Sequence, residues 1–263
     1  ARPDGAWCAF GISGGGSAIL PMPLEYTDGG RPQQLALADK QAVTRELLAC
    51  GADIREINCV RKHLSGLKGG RLLARLAPAR SLNLILSDVV GDDLSSIASG
   101  LTTFDPTTFD DALGILETYG LAERVPEGVR RALTLGREGR IPETLKPAEF
   151  DPRRVTNVLI GSNRAALRAA AARARELGYT VAPLTTRITG EAREVARLLA
   201  GIARDIALDE LLLAKPACVL SGGEPVVSLR GQGKGGRNQE MALAFLGEMA
   251  RNPGEMERVA FLA

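Results

Sequence analysis

Short apolar runs alternate with amphipathic helical stretches along almost the whole chain, the pattern of βα units laid around a mostly parallel sheet. Residues 6–12, 82–87, 155–160, 180–184 and 217–220 read as strands, with further strand signals at 226–229 and 259–262. Helices are predicted over 40–50, 109–119, a stretch after Pro126, 165–177, 191–206 and 238–250. In the first of these Val43, Leu47 and Leu48 share a face, with Asp39 available as N-cap and Gly51 as the stop. Gly120 and Gly178 close two others. Residues 137–151 carry Gly139, Pro142 and Pro147 without clear periodicity and read as a linker, dividing the chain into an α/β domain over 1–147 and a second over 148–263. With 263 residues, 45% of them hydrophobic, the chain can bury the cores such domains need.

Charge narrows the partners. There are 33 Lys and Arg against 31 Asp and Glu and no basic tail, so nothing global calls for nucleic acid or an anionic membrane. No apolar run reaches the roughly 18 to 20 residues that cross a bilayer, and residues 1–7 lack a signal-peptide core. Cys8, Cys50, Cys59 and Cys218 form no CxxC pair, which argues against a zinc ribbon or a secreted disulfide framework and for a reducing, cytoplasmic setting. The chain begins without Met and stops in an apolar run at 259–263 that reads as a strand interior, so sequence is expected on either side.

Glycine is concentrated in loops beside strands or helices: Ser13-Gly14-Gly15-Gly16-Ser17, Lys68-Gly69-Gly70, Gly222-Gly223-Glu224 and residues 231–240. Such loops let backbone N–H groups approach phosphate oxygens, and they also make tight turns. The last adds Lys234 and Arg237 to Gly235, Gly236 and Asn238 ahead of a helix, so backbone donors, helix dipole and cations can converge on one anion. It is neither a Walker A loop nor a GxGxxG dinucleotide fingerprint. Residues 58–70 gather Arg61, Lys62, His63 and Lys68 around Ser65, as a carboxylate or phosphate clamp or as a solvated helix face. His63 is the only histidine, with general-base, positioning and structural roles all open. Asp88 and Asp92, with Asp93 adjacent, are placed to hold a divalent cation through one or two carboxylates, or to cap a turn. Glu224 and Glu191 sit at a turn and a helix start.

Taken together these motifs resemble the glycerate 2-kinase family whose C-terminal domain is named MOFRL and whose members were often labelled hydroxypyruvate reductases. The match runs in family order through residues 12–18, 58–70, 87–92, 99–102, 190–191, 222–224 and 233–240. It implies two Rossmann-like α/β domains, layered sheets with flanking helices, and an active site in the cleft between them. It implies ATP and Mg²⁺ as cofactors and D-glycerate as the small-molecule partner, giving 2-phosphoglycerate, with 3-phosphoglycerate and a homodimer as open alternatives. The family's arginine in its Lys-Gly-Gly-Arg-Asn loop falls on Arg237, assigned to transition-state charge. The resemblance further suggests that the Ser13–Ser17 loop and Lys68 bind phosphate or substrate. Arg61 and Lys62 would hold the glycerate carboxylate, and Asp88 would assist metal or proton transfer. The family normally starts with a further α/β segment bearing a Gly-Lys motif and continues past residue 263 into a Thr-Asp-Gly-x-Asp-Gly loop. Its Ser-Gly-Pro-Thr motif here reads Ser99-Gly-Leu-Thr102, and residues 26–34 read as added loop. Competing readings are an NAD(P)H-linked hydroxypyruvate reductase, which lacks its fingerprint here, and a truncated module that binds nucleotide or sugar acid without catalysis.

Overall fold

The computed structural model describes residues 5–209, 211–228, 233–251 and 253–263, and the chain divides into two units. The first is Ala1–Ser87 with Asp92–Ile160; the second is Asp88–Gly91 with Gly161–Ala263. Residues 137–151 lie within the first unit, where Leu145 N donates to Gly69 O at 2.9 Å and Asp105 N to Leu145 O at 2.8 Å.

In the first unit β1 (Trp7–Ser13) runs parallel to β4 (Arg80–Ser87), in the register Ser13 opposite Leu86, and β5 (Val155–Ser162) completes the sheet order β1-β4-β5. Ser13 and Ser87 therefore end neighbouring strands at their carboxyl ends, where ligands of parallel sheets gather. The four-residue helix α1 (Gly16–Ile19) follows β1. Residues 26–34, which read as added or altered loop sequence, belong to a hairpin of β2 (Glu25–Asp28) and β3 (Arg31–Gln34). Its turn residues Gly29 and Gly30 both have positive φ, 57° and 79°, as a type I′ hairpin turn requires.

Four helices build most of the core of this unit: α2 (Leu37–Ala49), α3 (Ile54–His63), α5 (Phe109–Thr118) and α6 (Glu127–Arg137), with α4 (Arg71–Leu76) preceding β4. Val43, Leu47, Ile57, Val60, Phe109, Leu116, Val129 and Leu133 interlock there and are buried. The N-cap of α2 is Ala36, without a side-chain hydrogen bond; Asp39 lies one turn inside, where its charge favours the positive helix end. α3 starts with a capping box in which the Asp53 side chain accepts from the amides of Arg55 and Glu56 while Glu56 reaches back to Asp53 N. α5 repeats the device with Thr108 and Asp111. Gly136 lets α6 press on Phe109, since a Cβ there would lie 2.3 Å from the ring.

His63 closes this core. Its Nδ1 lies 2.8 Å from Cys59 O, its Nε2 lies 3.2 Å from Glu143 Oε2, and its ring packs on Phe109 at 4.8 Å. Fully buried and held at both nitrogens, His63 links the end of α3 to Glu143. Burial raises the Glu143 pKa, but hydrogen bonds from His63, the Phe109 amide and Lys146 outweigh it and bring it from 4.5 to about 2. A depressed carboxylate stabilises the fold above its unfolded pKa and loses that contribution as pH falls through the folded one. Glu143→Gln is therefore expected to be less stable than the native chain at neutral pH, with the gap closing from pH 4.5 to about 2. Urea midpoints across that window read this directly. A constant gap would assign the loss to packing rather than charge.

The second unit contains α7 (Asn163–Glu176), β6 (Thr180–Ile188), α8 (Ala192–Asp209), β7 (Ala217–Gly223) and α9 (Arg237–Arg251). β6 and β7 are parallel and joined through α8, a βαβ unit. Ala192, Ala196 and Ala200, four residues apart on α8, form a small-residue stripe against Met241 and Phe245 of α9, and Phe245 stacks on Phe261 at 4.2 Å. Residues 259–262 form no strand: Val259 and Phe261 pack on this helical core instead. The strand expected at 226–229 is reduced to a bridge between Val226 and Glu191, and Leu229 lies outside the described residues. No helix among the described residues is long and apolar enough to cross a membrane.

Candidate functional site

Ser17, one turn beyond the end of β1, is the centre of a cationic cluster in the first unit. Lys68 Nζ donates to Ser17 O at 2.7 Å and to Ser17 Oγ at 3.2 Å, and Arg61 Nη2 donates to the same Oγ at 2.8 Å. Ser17 Oγ lies 2.7 Å from Ser99 Oγ, which donates to Asn58 Oδ1 at 3.1 Å. Because Ser99 gives its proton to Asn58, Ser17 donates to Ser99, and the hydrogen bonds run in one direction from the cations to the amide oxygen. Arg61 Nη1 returns to Asn58 Oδ1 at 3.3 Å.

The segment carrying Ser99 is strained. Ala98, Ser99 and Gly100 all adopt left-handed φ, at 50°, 57° and 67°, and the first two are not glycine. Gly69 N and Gly70 N hold this segment by donating to Ser99 O at 3.1 Å and Gly100 O at 2.8 Å. Glycine is required at both positions, since a Cβ would meet Thr144 at 2.8 Å or Thr103 O at 2.6 Å. Of the two readings open for this loop, phosphate approach and tight turn, the Gly69 and Gly70 amides follow the second, since both donate within the protein.

Lys68 is 2% exposed, and burial, with the neighbouring charges of Arg61 and Lys40, lowers its pKa from 10.5 to about 7. Lys40 of α2 is lowered to about 8 by burial and by Arg61, and burial also lowers Arg61. Among the described residues none of the three forms an ion pair with a carboxylate. Buried cations normally come paired, and among the described residues this cluster has no carboxylate that does so. Ser17, Arg61 and Lys68, all named in the sequence reading, are brought together here; Lys40 was not named, and it stands amid the apolar face of α2 with no motif to mark it.

Lys62, grouped with Arg61 in the sequence reading, faces elsewhere: its ammonium pairs with the fully buried Asp105 at 3.2 Å. Asp93 is likewise spent, bonding the hydroxyls of Ser95 and Ser96 at 2.8 and 2.7 Å. Asp92 lies in the first unit with φ 58°, while the exposed Asp88 lies in the second.

In the second unit Arg237, the first residue of α9, donates through Nη2 to Glu224 Oε1 at 2.6 Å. Glu224 is aimed by the two glycines before it. A Cβ on Gly222 would collide with Asn163 Oδ1 at 2.1 Å and one on Gly223 with Ile188 O at 2.2 Å, so the chain passes between them only as glycine. Burial raises the Glu224 pKa, Arg237 works against the rise, and the charge of Asp88 adds to it. Lys234, Gly235, Gly236, Asn238 and Gln239 surround Arg237 along an open concavity of about 510 Å³ at the helix start. Gly231 and Gln232, the first residues of this loop, lie outside the described residues. Glu191 bonds the Ser228 amide at 3.3 Å and is occupied with holding the chain after β7.

No group of three or more His, Cys, Asp and Glu side chains among the described residues forms a ready metal centre. Asp88 and Glu224, both in the second unit, are close enough for the charge of Asp88 to act on Glu224.

Comparison with known proteins fits both halves. Residues 4–134 match the family described as "Domain of unknown function (DUF4147)" and residues 217–263 match the MOFRL family. The chain is 44% identical to a glycerate 2-kinase of Pyrococcus horikoshii over 89% of this chain and 50% of that protein. Its backbone resembles the crystal structure of a glycerate kinase from Thermotoga maritima with a TM-score of 0.72 at 40% identity, covering 92% of this chain and 54% of that one. The chain spans about half the length of most curated relatives it matches. It spans more of one, a glycerate kinase of Macaca fascicularis, to which it is 38% identical over 96% of its own length and 69% of the relative's. With parallel α/β units, a MOFRL match and that coverage, this chain belongs to the glycerate kinase family.

Proposed function

We propose that the protein transfers the γ-phosphoryl group of ATP to D-glycerate, giving 2-phosphoglycerate and ADP. The observation that carries this reading is the cluster of Lys40, Arg61 and Lys68 around Ser17, buried cations without a carboxylate partner among the described residues. A small hydroxy acid or a phosphate supplies the missing negative charge. Phosphoryl transfer needs cations and positioning more than covalent chemistry, and it needs water kept away from the reacting phosphate.

In this reading the cluster orients the acceptor, and Lys68, whose pKa lies near neutrality, sits where it can hold or accept a proton. The Lys234–Asn238 loop receives phosphate oxygens at the amino end of the fifteen-residue α9, where dipole and lysine add to the pull. Arg237 stabilises the charge that develops on the transferred group. Asp88, with Glu224 beside it, would hold a magnesium ion, whose charge would offset that of the phosphate.

Incubation with Mg-ATP and D-glycerate is expected to release ADP only when glycerate is present, with NMR placing the new phosphate on carbon 2. Release that ignores glycerate, or oxidation of NADH on adding hydroxypyruvate, would overturn the kinase reading.

A further inference from the structure

Lys40 has no role in any motif of the sequence, yet it is buried at 8% exposure on α2. Among the described residues its ammonium makes one hydrogen bond, a long one of 3.4 Å to Met22 O, and that oxygen already accepts from Gly66 N at 3.0 Å and Ser65 Oγ at 3.2 Å. A carbonyl shared three ways does little to neutralise a buried ammonium. The charged neighbour acting on Lys40 is Arg61, and Lys40 and Arg61 both act on Lys68, so the groups that meet here are all cations. Lys62, the other lysine at hand, is consumed by Asp105.

We propose that Lys40 is a third anion ligand which, with Arg61 and Lys68, binds the oxyanion group of a small substrate, a carboxylate or a phosphoryl group. The proposal rests on reading the Ser17 cluster as an anion site. It gives Lys40 the role that the family resemblance suggested for Lys62. α2 brings it to the cluster from 21 residues before Arg61 in the chain, which is why no local motif contains it.

The test is thermal unfolding of the full chain in sodium chloride, inorganic phosphate and D-glycerate at matched ionic strength, for the native chain, Lys40→Met and Lys40→Arg. In chloride alone Lys40→Met is expected to be as stable as the native chain or more so, because a buried unpaired charge has gone. Phosphate, D-glycerate or both should raise the native midpoint in a saturable way. Lys40→Met should need about tenfold more anion for the same rise, and Lys40→Arg should keep most of the native response. A Lys40→Met chain that loses stability in chloride but keeps the native anion response makes Lys40 a tether for Met22 and overturns the proposal. So does a native chain that responds to neither anion. If Lys40→Met fails to fold, Lys40→Gln takes its place in the comparison. The arms also separate this proposal from the functional reading. A response to phosphate alone that depends on Lys40 upholds the ligand and removes glycerate from this site. D-glycerate binding of native affinity in Lys40→Met removes the ligand and leaves the kinase standing.

Discussion

Replacing Arg237 by Ala is expected to lower the turnover of ATP-dependent glycerate phosphorylation about a hundredfold or more, with a much smaller change in the KM for glycerate. A donor that acts only on developing charge lowers kcat, whereas one that holds substrate in the ground state raises KM. The structure supplies a rival explanation. Arg237 lies 2.6 Å from Glu224, which is partly buried and feels the charge of Asp88, so Arg237 has a second task of balancing the negative charge of Glu224. Two further variants separate the tasks. If neutralising Glu224 were the whole role, Glu224→Gln would restore activity to the Arg237→Ala chain; if Arg237 meets the phosphoryl group, the double variant stays as slow. Arg237→Lys should fall between, since it keeps the charge and loses the planar fork. Steady-state kinetics on the four chains decide it, and an Arg237→Ala chain with native kcat would take Arg237 out of the site.

Much of this architecture was legible because its signals are local. The strands at 6–12, 82–87 and 155–160 are apolar runs with polar or glycine ends, and Gly51, Gly120 and Gly178 stop helices by accepting φ of 82°, 62° and 87°. Two local signals were present and passed over. Asp53 and Glu56 form a capping box that announces α3, whose charged side chains obscured the Ile57, Val60 and Leu64 spacing. Gly29-Gly30 likewise announces a hairpin. The site was legible only where its residues share a motif. Adjacent residues on a helix point about 100° apart, so Arg61 reaches Ser17 while Lys62 turns to Asp105, a distinction that charge counting cannot make. Lys40 depends on how α2 packs against α3, and no spacing along the chain encodes that contact.

Asp105→Ala is expected to destabilise the chain by about 3–5 kcal/mol, because it leaves the Lys62 ammonium buried and unpaired. Asp105 Oδ1 accepts from Lys62 Nζ at 3.2 Å and from the Thr107 hydroxyl and amide at 2.8 and 3.2 Å, all in the protein interior. Burial raises the Asp105 pKa, but Lys62 and the Thr107 hydrogen bonds outweigh it and hold the carboxyl below its ordinary 3.8. The sign follows: the carboxylate contributes stability above pH 3.8 and loses it as the pH falls through its folded value, so part of the acid sensitivity should vanish with Asp105. Lys62→Met should cost less than Asp105→Ala, since Thr107 still serves the remaining carboxylate. The double variant Lys62→Met/Asp105→Leu should recover most of the loss, as replacing a buried pair by apolar side chains often does. Urea unfolding of the native chain, Lys62→Met, Asp105→Leu and the double variant gives the coupling between the two positions. The same double variant also decides the function of Lys62. A residue that bound the glycerate carboxylate would take KM with it when replaced, whereas a structural pair leaves KM near native once the fold is restored. The burial of both partners and the orientation of Lys62 away from Ser17 make the second outcome the expected one.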